Sequence, residues 1–262
     1  MGERAWRRAL ITGASSGIGE AMARQLGAAG TDLVLVARTG ARLEEIAADI
    51  RERNAVAVEV LAADLADPTA LGTVEARVAA AEDPVDLLVN NAGYGFEGPF
   101  GTIPVDDEEA EIRVNVVALM RLTHAAVRRL TGAGERGTVL NVASVAAFQP
   151  SAGSANYSAT KAYVLSFSQS VHEETAAAGV NVTALCPGLT RTQFQPRGGY
   201  QIDVPAVLWQ SADEVARSGL DAAARGRPVE VTGWHNKVLT TSVRKLPLGV
   251  VRWASTQIAG RM

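Results

Sequence analysis

The sequence predicts a single doubly wound α/β domain, a parallel sheet of about seven strands with helices on both faces. Three observations predict it. Short apolar runs alternate with longer amphipathic ones, the pattern of strand–helix units joined by right-handed crossovers. The short runs are mostly continuous Val, Leu, Ile and Ala rather than alternating, as in strands covered on both faces. The first run ends in a glycine-rich turn that opens a helix.

Strands are expected at 9–12, 32–37, 56–62, 85–90, 138–142, 180–185 and 229–231, and helices at about 17–29, 40–53, 67–82, 106–131, 155–178 and 211–225. A chain of 262 residues, 47% apolar and 20% charged, suits one large globular domain with a sizeable core. Residues 1–233 form that domain, with a lid-like segment at about 189–212, and 234–262 extend it. A net charge of −3 carries no nucleic-acid signature. Cys186 stands alone and has no disulfide partner in the chain, which fits a reducing, cytoplasmic compartment. Residues 1–13 run straight into a strand with no apolar stretch of a signal peptide. No run approaches the ~18 apolar residues of a spanning helix.

The first turn reads Thr12-Gly13-Ala14-Ser15-Ser16-Gly17-Ile18-Gly19. Glycines between a strand and a helix let backbone approach a pyrophosphate, whose charge the helix N-terminus stabilises. The strand-to-helix context distinguishes this from a tight structural turn. The second strand ends at Ala37-Arg38, where a dinucleotide site reads the adenosine ribose. An acid there would bond a free 2′-hydroxyl, whereas an arginine fork suits a 2′-phosphate. Arg38, with Ser15 and Arg42, therefore argues for NADP(H) over NAD(H); the alternative is a solvated strand-end charge. After the third strand, Asp64 is placed to accept from an adenine amino group or to cap a helix, although Asp67-Pro68 is the better cap. The fourth strand ends Asn90-Asn91-Ala92-Gly93, small residues over which a cofactor could lie. Asn91 could equally stabilise only the turn. Asn115 interrupts a long helix, where it could hold a water or accept a backbone bond. His124 and His172 have no metal-like spacing, so no metal site is expected.

Tyr157 and Lys161 stand four residues apart in a stretch that follows the fifth strand, and on a helix they share a face. A phenol titrates near ~10 and is a poor acid or base at neutrality. An ammonium ~4 Å away at an effective dielectric of ~20 supplies ~4 kcal/mol, enough to lower it by ~3 units. Ser144, upstream at the strand end, could face the same spot. After the sixth strand come Pro187-Gly188, Thr190 and Thr192, where the threonines could bond a carboxamide or phosphate.

With these motifs in order, residues 9 to about 232 closely resemble the short-chain dehydrogenase/reductase family in its single-domain, Rossmann-type form. The resemblance implies a catalytic tetrad of Asn115, Ser144, Tyr157 and Lys161. It implies a cofactor site built from Gly13, Ser15, Ser16, Gly17, Ile18, Gly19, Arg38, Asp64, Leu65, Asn91, Ala92, Gly93, Tyr157, Lys161, Pro187, Gly188, Thr190 and Thr192. Hydride would pass between nicotinamide and a carbonyl carbon. Tyr157 would give or take the proton, Lys161 would lower its pKa and bind the ribose, Ser144 would bond the substrate oxygen, and Asn115 would hold a water. A homodimer or homotetramer packed through helices 106–131 and 155–178 is also implied.

The family leaves the substrate open. Tyr94, Phe96, Val145, Phe148, Phe194 and Trp209 make an apolar lining, which favours an apolar carbonyl or alcohol. A 3-oxoacyl-thioester reductase is the alternative. A non-catalytic NADP-binding regulator, from another class, would be expected to lack Tyr157 or Lys161. Residues after 231 carry +5 and no acid against −3 overall, which leaves −8 on the rest. Pro247 and Gly249 break this tail into two short pieces. It reads as a membrane-surface contact or as a segment docked on its own subunit or a neighbour; the short, broken apolar stripe favours docking.

Overall fold

The computed structural model describes residues 5–192 and 205–245. Its elements in order are β1 (Arg8–Thr12), α1 (Gly17–Ala28), β2 (Asp32–Ala37), α2 (Gly40–Arg53), β3 (Val58–Ala62), α3 (Pro68–Ala79), β4 (Leu87–Asn90), α4 (Val105–Ile112) and α5 (Leu119–Ala133). Then follow β5 (Gly137–Val142), α6 (Ala155–Thr175), β6 (Val180–Cys186), β7 (Thr190–Arg191), β8 (Gln210–Ser211), α7 (Ala212–Ala224), β9 (Val229–Val231) and α8 (Trp234–Lys245). The seven expected strands form one parallel sheet in the order β3-β2-β1-β4-β5-β6-β9.

Side-chain alternation along each strand divides the core between the two faces. Ile11, Leu33 and Leu35 point one way, against Met22 and Leu26 of α1, Ile46 of α2 and Val215 of α7. Leu10, Val34 and Val36 point the other way, against Leu71 and Val74 of α3 and Leu122 of α5. Both sets are almost fully buried, which is why the strands read as unbroken apolar runs. Asp67 caps α3 by accepting the Ala70 N–H at 2.8 Å, with Pro68 in the first helical position, as the sequence predicts.

Three features differ from the sequence reading. The long helix expected at 106–131 is a continuous run, but Arg113–Ala118 forms a π-helical segment between α4 and α5. Asn115 lies inside it, so this asparagine does not break an α-helix; it sits where the winding is already wider. Such insertions commonly mark functional sites. Second, β7 and β8 form a small parallel pair of their own, Thr190 opposite Gln210 and Arg191 opposite Ser211. This ladder ties together the two ends of the expected lid, whose residues 193–204 lie outside the described residues. Third, the first part of the basic extension is a helix, α8, packed against the 3₁₀ turn Val145–Phe148. Residues 246–262 of the tail lie outside the described residues.

The strand order places a topological switch point between β1 and β4. The chain moves outward from β1 through β2 to β3, then returns to β4 on the other side of β1. The loops there diverge to opposite faces and open a crevice at the carboxyl ends of the strands.

Candidate active site

That crevice is a cleft of about 1390 Å³ lined by the turn after β1, the ends of β2, β4 and β5, and the loop after β6. At its floor, Thr12 joins the two halves of the sheet. Its hydroxyl accepts the N–H groups of Asn91 and Ala92, both at 3.0 Å, and donates to the Val89 carbonyl at 3.3 Å. Asn91 returns the link by donating to the carbonyls of Thr12 at 3.0 Å and Gly13 at 3.2 Å. Asn91 thus serves the turn with its side chain.

Gly13 has φ 66°, and a Cβ there would lie 2.9 Å from the Ala92 Cα, so the turn needs glycine on both counts. Ser16 is extended at the N-cap of α1 and makes no side-chain cap bond. The first N–H groups of a twelve-residue helix are therefore left to face the cleft. This is a cradle for an anion, and with the cleft's volume it fits a dinucleotide pyrophosphate.

Gly13, Ser15, Ser16, Gly17, Ile18, Arg38, Asp64, Leu65, Asn91, Ala92, Gly93, Tyr94, Ser144, Val145, Tyr157, Lys161, Pro187, Gly188, Thr190 and Thr192 all line the cleft. Gly19 lies behind the turn, against the Gly13 carbonyl. Arg38 is exposed at the mouth and makes no hydrogen bond or ion pair among the described residues. Arg42 does not join it, contrary to the sequence reading. Its guanidinium is held by Glu20 at 3.1 Å and Glu45 at 2.9 Å, off the cleft. Asp64 accepts the Ala66 N–H at 2.9 Å, a local turn bond that leaves carboxylate acceptor capacity at the cleft wall.

Three expected lining residues lie outside the cleft lining. Phe96 packs edge-on against Tyr94, with ring centroids 5.6 Å apart, and lies outside the cleft lining. Phe148 packs into the cluster formed by Leu119, Val164 and Leu165. Trp209, at the end of a 3₁₀ turn beside β8, is also outside the lining. Phe194 lies outside the described residues.

Tyr157 and Lys161 do share one face of α6, and Ser144 meets them from the end of β5. The Ser144 hydroxyl hydrogen-bonds Tyr157 and accepts the Ala146 N–H at 3.1 Å. Lys161 is 4% exposed; its Nζ donates to the Val142 carbonyl at 2.9 Å and lies 5.7 Å from the centroid of the Tyr157 ring. The stretch 93–96 presses on this pair. A Cβ on Gly93 would lie 3.3 Å from Lys161 Nζ, and one on Gly95 would lie 2.6 Å from the Tyr157 ring.

Asn115 holds this stretch in place, and it does so partly by accepting a backbone bond, one of the two roles the sequence allowed it. Its Oδ1 accepts the Tyr94 N–H at 3.1 Å, and its Nδ2 donates to the Tyr94 carbonyl at 2.7 Å and to Thr160 Oγ1 at 3.1 Å. Both amide hydrogens are donated, and the residue is 1% exposed.

Burial acts on both members of this pair. Tyr157 opens onto the cleft, yet burial pushes its phenol up to about 12, against the lowering effect of the Ser144 hydrogen bond; Glu111 and Glu97 add to the rise. Burial also pushes Lys161 down to about 8. Desolvation of the phenolate thus outweighs the Ser144 hydrogen bond that favours it. The sequence reading also passed over two acids. Glu97 lines the cleft, and burial pushes its carboxyl up. Glu111 is wholly buried beside the centre. Its signal was available, since an acid one turn before Asn115 falls on the inward face of the helix.

Cys186 is fully buried and His172 shares its Nδ1 with the Val182 carbonyl at 3.0 Å, both as core residues. Among the described residues no group of three metal-binding side chains occurs, and no helix is long and apolar enough to cross a membrane.

The fold and the cleft define a nucleotide-binding α/β protein with a Tyr–Lys–Ser centre at its switch point. The pattern of the short chain dehydrogenase family matches residues 7–199, and the chain belongs to that family of oxidoreductases, which bind a nicotinamide cofactor. It is 37% identical over 186 residues, 70% of this chain and 72% of the relative, to a sulfoacetaldehyde reductase of Chromohalobacter salexigens. A short-chain dehydrogenase from Sphingobium yanoikuyae, solved in complex with NADPH, superposes with a TM-score of 0.82 at 35% identity, over 97% of this chain and 93% of that one. A bulky-bulky ketone specific alcohol dehydrogenase from Comamonas testosteroni superposes with a TM-score of 0.79 at 31% identity, over 91% and 92% respectively.

Proposed function

We propose that this chain is an NADP(H)-dependent oxidoreductase acting on the carbonyl or alcohol of an apolar, uncharged small molecule, with Tyr157 as general acid and base. The observation that carries this reading is the convergence of Tyr157, Ser144 and Lys161 on one wall of the cleft into which the N-terminus of α1 opens. The nicotinamide, when bound, supplies or accepts the hydride. Ser144 orients the substrate oxygen toward Tyr157. The phenol, held protonated by burial, gives its proton to that oxygen as the carbonyl is reduced. Lys161 places a positive charge beside the developing phenolate and offers its remaining donors to the nicotinamide ribose. Asn115 fixes the 93–96 stretch against the tyrosine ring, which limits how far the phenol can swing.

The substrate end of the cleft, around Tyr94, Pro99, Phe100, Val145, Ala146 and Leu189, is apolar. Besides Lys161, the charged side chain there among the described residues is Glu97, which has no ion-pair partner. A carboxylate at that wall disfavours an anionic substrate such as a sulfonate aldehyde, and the apolar lining favours a ketone with bulky hydrocarbon groups. A panel of aldehydes, bulky ketones, 3-oxoacyl thioesters and sulfoacetaldehyde, followed by NADPH absorbance, tests this. The expected order has neutral ketones first and the sulfonate last, and faster turnover of the sulfonate would reject the apolar assignment.

Arg38, free at the ribose end, supports NADP over NAD through a fork suited to phosphate. The parent protein should bind NADPH more tightly than NADH, and Arg38→Ala should weaken NADPH by about 10-fold or more, the order of one charge-assisted contact, with little effect on NADH. Calorimetric titration of both cofactors reads this directly. Equal affinities in the parent would refute the 2′-phosphate role.

A further inference from the structure

Glu111 stands on α4, one turn before Asn115, and none of it is exposed. A sealed carboxyl demands a physical account, because an uncompensated buried charge is strongly unfavourable. Its Oε2 accepts the Phe96 N–H at 3.1 Å, and its Oε1 is buried without a hydrogen-bond partner among the described residues. No cation forms an ion pair with it among the described residues. Lys161 is sealed in the same way, 4% exposed, and its Nζ bonds a backbone carbonyl, with no carboxylate paired to it among the described residues.

Both groups close on one stretch of backbone. Lys161 Nζ sits against Gly93 and Glu111 holds Phe96, while Asn115 clamps Tyr94 between them. Two buried ionisable groups of opposite sign thus flank a four-residue strap that presses on Tyr157.

We propose that Glu111 is a positioning residue acting through Lys161, its carboxylate being the buried counter-charge that keeps this lysine an ammonium beside Tyr157. The proposal rests on reading Tyr157 and Lys161 as the reaction centre. The groups facing Glu111 are Glu108 from its own helix, Tyr94 from the strap, and Tyr157 and Lys161 from α6. Glu97 from the strap acts on Tyr157 and Cys186 from β6 acts on Lys161. Only Lys161 among them is cationic. Burial and then Glu108 push Glu111 up, to about 7, while the Phe96 N–H and Lys161 oppose the rise. Burial pushes Lys161 down to about 8, and Glu111 opposes that fall. Between these two values both are charged. Below them Glu111 takes a proton and the ammonium loses its counter-charge; above them Lys161 gives its proton up. Removing the acid's charge therefore lowers the pH at which Lys161 is lost.

The chain has three lysines, Lys161, Lys237 and Lys245, so the test does not require turnover. The full-length protein is labelled with ε-¹³C lysine and titrated by NMR, and the Lys161 resonance is identified by its loss in Lys161→Arg. In the parent its midpoint is expected near pH 8. Glu111→Gln keeps an oxygen for the Phe96 N–H but deletes the charge, and should move that midpoint to lower pH. A midpoint left in place or raised overturns the proposal. The parent supplies a second reading that needs no variant. Its Lys161 resonance should show a smaller step near pH 7 as Glu111 ionises, and a titration with no such step also overturns the proposal. A purely structural Glu111 would change the melting temperature without moving the lysine. Retention of full activity by Tyr157→Phe would reject the reaction-centre reading alone, so the two failures are distinguishable.

Discussion

Tyr157→Phe is expected to cut the rate of carbonyl reduction by about 10²- to 10⁴-fold, the usual range for losing a positioned proton donor, while NADPH affinity stays close to the parent's. The substitution deletes one hydroxyl and keeps the ring, which lies against Gly95. The shape of the cleft wall and the position of Lys161 should therefore survive, and the loss should appear in kcat rather than in cofactor binding. The direction of the reaction enters through pH. Burial pushes the phenol up to about 12, so Tyr157 holds its proton throughout the neutral range and is ready to donate it. Alcohol oxidation needs the phenolate, whose fraction grows as pH rises. Oxidation should therefore accelerate with alkalinity where reduction does not. Steady-state rates in both directions from pH 6 to 10 read this. A Phe variant with the parent's kcat, or an oxidation rate that falls as pH rises, would remove Tyr157 from the chemistry.

Gly19→Ala should have the second large effect, and it acts on the cofactor cradle. A Cβ at this position would lie 2.4 Å from the carbonyl oxygen of Gly13 and 2.5 Å from Asn91 Nδ2. The first obstacle is backbone in the same turn, so no side-chain rotation relieves it. The turn must open, and it carries with it the Asn91 bonds that link β1 to β4. Overpacking of this kind costs about 1–3 kcal/mol in stability. Because the displaced backbone is the anion cradle, NADPH binding should weaken by at least about tenfold, equivalent to ~1.4 kcal/mol. Thermal denaturation and calorimetric titration measure the two parts. Unchanged affinity with lowered stability would mean that the α1 terminus does not hold the pyrophosphate.

These expectations draw unequally on sequence and structure. The strands could be placed to within two residues because a strand buried on both faces must be apolar at every position, and the residues of 32–37 or 138–142 state this locally. The glycine turn was equally plain, since a strand, three glycines and a helix are consecutive in the chain. The π-helical segment was not legible. Its sequence, Arg113–Ala118, resembles any amphipathic helix, and its wider winding goes with the clamp of Asn115 on Tyr94, a partner some twenty residues earlier in the chain. Phe96 and Phe148 read as pocket residues because aromatic side chains near a motif could face either way. Packing against Tyr94 and against the α6 cluster decided their direction.

The same division holds at the reaction centre. The amino-acid sequence by itself determined the α/β fold, the cradle after the first strand, and the pairing of Tyr157 with Lys161 on one helical face, because each depends on residues a few positions apart. Tertiary structure decided which way the charges lean. It buried Lys161 against the Val142 carbonyl, put Ser144 in contact with Tyr157, released Arg38 while tying down Arg42, and sealed Glu111 behind the strap. An ionisation equilibrium depends on how much water and which charges surround a group in three dimensions. Neighbours along the chain carry almost none of that information.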